Sequence, residues 1–136
     1  MSQGKRLPIA LCECGTAAIE YAIVLPVLLL LLLGIIDFGR LFWTYTTLHR
    51  ASDAAARCAA IQAAGCTTIG DTQNYAVAQA FGLVIDASAF AVTDQGCGVQ
   101  VVATYNFGFV VPWLDVVSSS GTRGSMTLTA TACYPD

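Results

Sequence analysis

The strongest pattern in the chain is an apolar run near its N-terminus. Residues 17–36 read AAIEYAIVLPVLLLLLLGII. About twenty helical residues, each rising about 1.5 Å, match the roughly 30 Å hydrocarbon core of a bilayer. Glu20 is the only charge in the run, and Pro26 is expected to bend the helix because it cannot bond to the Ala22 carbonyl. The run therefore predicts one transmembrane helix.

A helical stripe of apolar and small residues continues beyond this span. Spacings of three and four place one set on a single helix face: Leu41, Tyr45, Leu48, Ser52, Ala55 and Ala59. The opposite side is predicted to be exposed and carries Arg40, Thr44, Thr47, Arg50, Asp53 and Arg57. Gly65 is a suitable stop. We therefore expect a helical unit over residues 16–64 whose outer part packs on a sheet.

The remaining residues, 65–136, are expected to form a small α+β ectodomain. Asp71 or Thr72 is predicted to cap a short helix that Gly82 ends. Strands are predicted over residues 90–93, 99–107 and 126–134 because β-rich runs are separated there by turn-forming segments. Alternation along the last two strands gives one core face: Val99, Val101, Ala103, Tyr105, Met126, Leu128, Ala130 and Ala132. The predicted fold class is α+β, with a roughly three-stranded antiparallel sheet.

Composition supports an anchored protein and excludes two other classes. The 136 residues are 56% hydrophobic and 11% charged, with a mean hydropathy of +0.66, whereas soluble domains have about a quarter charged residues. The length excludes a large two-lobed enzyme. Six scattered Lys and Arg residues and a net charge of -3 provide no basic face for phosphates, so nucleic acid is not an expected partner.

Two other kinds of N-terminal segment do not fit the apolar run. A cleaved secretory signal has an apolar region of about 7 to 15 residues followed by small residues, but here Asp37-Phe38-Gly39-Arg40 follows. A lipidated cysteine would have to come after the run, whereas Cys12 and Cys14 precede it. The segment is therefore predicted to stay as a membrane anchor.

The cysteines beyond the span decide the predicted orientation, because Lys and Arg residues flank both ends of it. Cys58, Cys66, Cys97 and Cys133 are an even set suited to an oxidising compartment, which places the N-terminus in the cytoplasm. Three pairings are possible, and we favour Cys58 with Cys66 and Cys97 with Cys133. The first pair requires the long helix to end or bend before Ala64. The second requires a bulge or an irregular strand end, because the two cysteines belong to opposite faces.

The residues that could support chemistry are few. His49 is the only histidine and is predicted to be a solvated surface residue, so no catalytic residue is assigned. The cysteines lack C-x-x-C spacing and clustered histidines, so neither a metal nor another cofactor is predicted. An aromatic stretch that includes Tyr105, Phe107, Phe109 and Trp113 is interpreted as packing of a strand and loop, with partner contact as the alternative.

Glu20 lies where a carboxylate needs compensation, because charge inside an apolar span costs free energy. Cleavage after Gly15 would leave the Thr16 ammonium group four residues before Glu20, on the same helix face and roughly 6 Å along the axis. The two charges would then be matched within one chain or between neighbouring chains. The alternative is that Glu20 reaches the headgroups from an uncut anchor.

The motif around these residues resembles that of a known family. Gly15, followed four residues later by Glu20-Tyr21, is similar to the processing motif of Flp-type pilins and TadE-like pseudopilins of the tight-adherence (Tad) pilus system. The string from Gly15 to Pro26, the polyleucine, and Gly34-Ile35-Ile36-Asp37-Phe38-Gly39-Arg40 resemble the TadE-like family in particular. Since the chain continues far beyond its apolar helix, the resemblance implies a minor component rather than the bulk pilin.

The resemblance implies a function in pilus biogenesis or assembly. It implies that a prepilin peptidase cuts after Gly15, removing the cytoplasmic leader 1–15, and that the C-terminal domain is exported across the bacterial inner membrane. The implied partners are that peptidase, other pilins or pseudopilins, the inner-membrane assembly platform and membrane lipid. The alternative is an uncleaved single-pass envelope protein that scaffolds a Tad-like machine. A small exported enzyme is a third class, disfavoured by the single His49.

Overall fold

The computed structural model describes residues 14–110 and 124–135. Two helices, α1 (Cys14–Ala60) and α2 (Ile69–Gln79), are followed by a 3₁₀ turn (Ala87–Ala89) and three strands. The strands are β1 (Phe90–Gln95), β2 (Gly98–Gly108) and β3 (Ser125–Tyr134). The predicted α+β class, with a long N-terminal helix, a short second helix and a three-stranded antiparallel sheet, is confirmed.

The N-terminal half of α1 has no protein around it in the described part of the chain. Side chains from residue 18 to residue 33 are all exposed, although they are almost entirely apolar. By length and composition, α1 is the one described helix able to cross a membrane. It continues through Pro26 as a helix, and the bend at Pro26 stays a prediction. Exposed apolar residues over this length are what a lipid-facing segment requires.

The outer half of α1 is the central element of the ectodomain. The sheet has the order β1-β2-β3, with antiparallel pairing throughout, and α1 packs on β2, β3 and α2. Small residues on α1 allow close approach of the backbones, and the core consists mainly of Leu48, Ala51, Ala55, Ala76, Phe90, Val101, Ala103, Leu128 and Ala130. Of the predicted sheet core positions, Tyr105 is half-buried and Met126 is exposed.

Two threonines on α1 correct the predicted exposed face. Thr44 and Thr47 are buried, because α2 covers a second side of α1 in addition to the side covered by the sheet. Arg50, Asp53 and Arg57 are exposed as predicted. The stripe in the sequence thus identified only part of a wider buried surface.

The helix α1 ends at Ala60, before the predicted limit at residue 64. Gln62 adopts a left-handed backbone conformation (φ 46°), and the Ala63 N–H donates to the Cys58 carbonyl at 3.1 Å. This early end allows Cys58 and Cys66 to form a disulfide with a Cα–Cα distance of 5.8 Å. The condition that the sequence set for this pair is therefore met.

Helix α2 begins earlier than the sequence predicted, because Thr68 is its N-cap. The Thr68 hydroxyl accepts a hydrogen bond from the Asp71 N–H at 3.1 Å and donates one to the Asp71 carboxylate at 2.7 Å. The Thr68 hydroxyl thereby holds the pKa of Asp71 below its usual value. The cap belongs to Thr68 rather than to Asp71 or Thr72, and the helix ends at Gln79, before Gly82.

The turn between β1 and β2 explains the second disulfide without a bulge. Cys97 lies in the turn rather than in a strand, and it bonds to Cys133 at a Cα–Cα distance of 6.3 Å. The pairing of β2 with β3 is continuous. Gly98 follows at φ 108°, where a Cβ would overlap the Tyr134 carbonyl oxygen and lie 2.7 Å from Pro135 Cα. Only glycine fits this position. The irregular strand end that the Cys97–Cys133 pair was predicted to require is therefore this turn.

Candidate functional site on the N-terminal and juxtamembrane helix

The residues of the predicted processing motif lie at the start of α1. Gly15, Glu20 and Tyr21 are exposed, and a Cβ on Gly15 would meet no described atom within 4 Å. The rest of the predicted leader, apart from Cys14, lies outside the described residues. The glycine and the carboxylate are thus placed on a stretch of helix that no other described residue covers and that leads directly into the apolar span. The pairing of Thr16 with Glu20 stays a prediction.

Asp37 joins the end of the apolar segment to the ectodomain. Its side chain is fully buried, and both carboxylate oxygens accept from the Val110 N–H, at 3.2 and 3.0 Å. Arg40, one helical turn later, donates to the same carboxylate at 3.1 Å. We call Asp37, Arg40 and Val110 the juxtamembrane contact. It attaches the chain just after β2 to the helix just after its apolar run.

Aromatic packing supports the juxtamembrane contact. The Arg40 guanidinium lies 5.4 Å from the centre of the Phe107 ring, close enough for a cation–π interaction. Phe107 is buried and packs edge-to-face on Phe109 at 5.2 Å. This agrees with the packing interpretation of the aromatic stretch, of which Trp113 lies outside the described residues.

Sequence reasoning did not assign Asp37 a structural role. Its partner Val110 is 73 residues away in the chain, so no local pattern reveals the contact. One available signal was the carboxylate itself, placed directly after an apolar run and three residues before an arginine.

His49 is not the solvated surface residue that the sequence predicted. Its Nε2 atom is buried without a hydrogen-bond partner among the described residues, and its ring packs on Tyr45 with centroids 4.5 Å apart. The expectation failed because it rested on the neighbouring Arg50. His49 also follows the buried Leu48 and packs on Tyr45, one helical turn earlier. Within residues 14–110 and 124–135, no group of three or more His, Cys, Asp or Glu residues could hold a metal ion.

Both disulfides lie at the end of the ectodomain far from the span. Cys58–Cys66 closes the end of α1 onto the loop before α2, and Cys97–Cys133 joins the β1–β2 turn to the end of β3. These are the two pairs that we favoured from the sequence. They leave the opposite end of the domain to be held by the juxtamembrane contact.

These features define a class: one long apolar helix that also forms the core of a small α+β domain fits a membrane-anchored, pilin-like protein. The family model described as TadE-like protein matches residues 15–57. Over this segment the chain is similar to the TadE-like family, as its motif indicated. The segment contains Gly15, Glu20, Asp37 and Arg40. Comparison with curated proteins and with solved structures gave no match.

Proposed function

We propose that this protein is a minor pilin or pseudopilin of a Tad-type adhesive pilus that acts in pilus biogenesis or assembly without being an enzyme. The observation that carries the proposal is the position of Gly15 and Glu20. Both are exposed at the start of α1, at the first turns of the TadE-like segment. In this proposal a prepilin peptidase cuts after Gly15, and the ectodomain is exported across the bacterial inner membrane.

The continuous helix supports an assembly role for the segment after the cut. Residues 18–33 present only exposed side chains, so other pilins, the assembly platform or lipid can contact α1 from any side. A new Thr16 ammonium group would lie one helical turn from Glu20 and pair with it or with the Glu20 of a neighbour. The positive end of the helix dipole would also favour Glu20.

The two disulfides support export of the ectodomain. Such bonds persist in oxidising compartments outside the cytoplasm, and both lie beyond residue 57. An N-terminus in the cytoplasm and a C-terminal domain outside follow from this proposal, with Gly15 close to the cytoplasmic side.

Processing is tested by replacing the predicted cleavage residue. We expect the mature wild-type protein to lack residues 1–15 and Gly15→Leu to keep them, because a leucine side chain would occupy the position that the motif reserves for glycine. The measurement is the intact mass of membrane-extracted protein from cells with the prepilin peptidase. Gly34→Leu is a matched control, since a Cβ there also meets no described atom within 4 Å. A wild-type N-terminus at Met1 or Ser2 would favour the uncleaved scaffold instead.

Assembly is tested separately at Glu20. We expect Glu20→Leu and Glu20→Gln to be processed normally but to reduce piliation strongly, because the Thr16 ammonium group would lose its negative partner. Piliation is counted by electron microscopy, and processing is read from the intact mass. Normal piliation by Glu20→Leu, with processing still blocked in Gly15→Leu, would refute the charge pairing and leave the peptidase site standing.

A further inference from the structure

Exposed apolar side chains collect at the end of the ectodomain that faces the span. They come from four different parts of the chain, and we call them the apolar base: Phe42, Trp43, Phe81, Val84, Val110 and Met126. Val84 is 96% exposed and Phe81 is 70% exposed. Exposed apolar groups gathered from separate elements indicate a surface that something covers.

The loop after α2 reaches the level of the last residues of the span. Since α2 returns beside α1, a Cβ on Gly82 would lie 3.8 Å from Trp43 Nε1. Leu83 lines a groove of about 520 Å³ together with Ile36 and Gly39. Val84, the next residue, therefore lies close to the point where the apolar run ends.

The sheet also places apolar side chains at the level where the span ends, on the other side of α1. Val110 follows β2 and is held by its hydrogen bond to Asp37. Met126, near the start of β3, lines an apolar groove of about 200 Å³ with Phe38 and Phe42. Apolar side chains from other parts of the domain thus lie beside residues 37–43 of α1.

The distance from the span matches the headgroup layer of a bilayer. At about 1.5 Å per residue, residues 38–43 lie roughly 3 to 10 Å beyond Ile36, and the headgroup region extends roughly 5 to 8 Å beyond the hydrocarbon on each side. Aromatic residues are enriched at this depth, where an apolar ring and a polar tip both find partners. The backbone of Trp43 lies just beyond this layer, and its side chain, 62% exposed, tilts back towards it because Cβ atoms point to the helix N-terminus.

Most exposed charged residues of the outer half of α1 lie away from the span. Arg50, Asp53 and Arg57 are exposed on the part of α1 away from the span. Among the described residues, Arg40 is the basic one at the level of the base; its side chain is half exposed, so guanidinium donors that do not bond Asp37 are accessible to lipid phosphates. Asp86, two residues after Val84, is also exposed.

We propose that the apolar base seats the ectodomain directly in the headgroup layer of the bilayer that α1 crosses. The occupant of this surface is lipid, because the surface continues the lipid-facing span without a gap. The proposal rests on membrane anchoring by α1, but not on cleavage at Gly15. Before assembly the domain would then lie against the membrane instead of standing away from it.

The test is photo-cross-linking of the full-length protein in vesicles of phosphatidylcholine and phosphatidylglycerol. The photoreactive residue p-benzoylphenylalanine replaces Val84 or Phe81, and Ile69 is the matched control at the opposite end of α2, 61% exposed. Leu30, in the span, is the positive control. We expect lipid adducts at positions 84 and 81 in severalfold excess over position 69, identified by the mass of the adduct.

Each other outcome has a definite meaning. Adducts at Leu30 but none above the position 69 level at Val84 and Phe81 would overturn the seating and keep the anchor. Cross-linked dimers instead of lipid adducts at Val84 would overturn it in favour of contact between copies of this chain. Loss of adducts at Leu30 as well would overturn the membrane anchoring itself. Because Val84 is almost fully exposed, a large side chain there does not disturb the packing.

Discussion

Asp37→Ala should lower the free energy of unfolding by about 2 to 3 kcal/mol, since hydrogen bonds to a charged group contribute about that much. The substitution removes the acceptor for the Val110 N–H and the charge partner of Arg40. It also leaves a space at a fully buried position. We expect the amide of Val110 to exchange with solvent much faster, because that amide loses its partner on α1.

The matched controls for Asp37 separate charge from geometry. Asp37→Asn keeps an acceptor oxygen but no charge, so we expect a smaller loss than for alanine. Asp53→Ala changes an exposed carboxylate on the same helix and should stay within about 0.5 kcal/mol of wild type. Stability is measured on the full chain in detergent micelles by denaturant unfolding, and exchange by mass spectrometry. An Asp37→Ala protein as stable as Asp53→Ala would contradict this role.

The Cys97–Cys133 disulfide should stabilise the ectodomain by about 4 kcal/mol and the Cys58–Cys66 disulfide by about 2.5 kcal/mol, from the loop-closure entropy of the unfolded chain. The difference arises because the cysteines of the first pair are 36 residues apart and those of the second 8. The Cys97–Cys133 bond also joins the β1–β2 turn to β3. Without this bond, the end of the edge strand β3 loses its covalent link to the turn.

Two single-disulfide variants allow this comparison. Within each variant, the oxidised and reduced proteins have the same sequence, so the measured difference comes from the disulfide bond. Cys58→Ala with Cys66→Ala keeps only the long loop, and Cys97→Ala with Cys133→Ala keeps only the short one. Each variant is unfolded in its oxidised form and after reduction, and the difference reports the remaining bond. Reduction should destabilise the first variant more than the second. An equal or reversed order would show that loop length does not set the contribution of these bonds.

The span and the strands were predictable because each depends on a repeated local pattern. The apolar run of residues 17–36 and the alternation of β2 and β3 need no knowledge of the fold. Thr44 and Thr47 were assigned to the wrong face because a single stripe assumes burial on one side only. The contact of α1 with both α2 and the sheet is a tertiary property that periodicity does not contain.

Element ends were less predictable than the elements themselves. Thr68, three residues before Asp71, has capping spacing, but Asp71 and Thr72 were equally acceptable caps in the sequence. At the end of α1, Gln62 takes the left-handed conformation that glycine more often adopts, which is why Gly65 was favoured.

The two parts of the candidate site also differ in how far the sequence alone reveals them. Gly15 and Glu20 belong to a linear motif, so their spacing can be recognised without a structure. The juxtamembrane contact requires Val110 to return to Asp37 from 73 residues away. Sequence reasoning could therefore predict a processing motif, which stays a prediction, but it missed the contact between Asp37 and Val110.

Because the helix that is able to cross a membrane is also the core helix of the folded domain, α1 determines how the protein responds to mechanical force. Tension along α1, such as extraction from a bilayer would produce, passes directly into the surface on which β2 and β3 pack. The helix cannot leave the domain without breaking its packing on β2, β3 and α2. Resistance to forced unfolding depends on the unfolding rate, so this packing determines how long the domain stays folded while its helix is pulled.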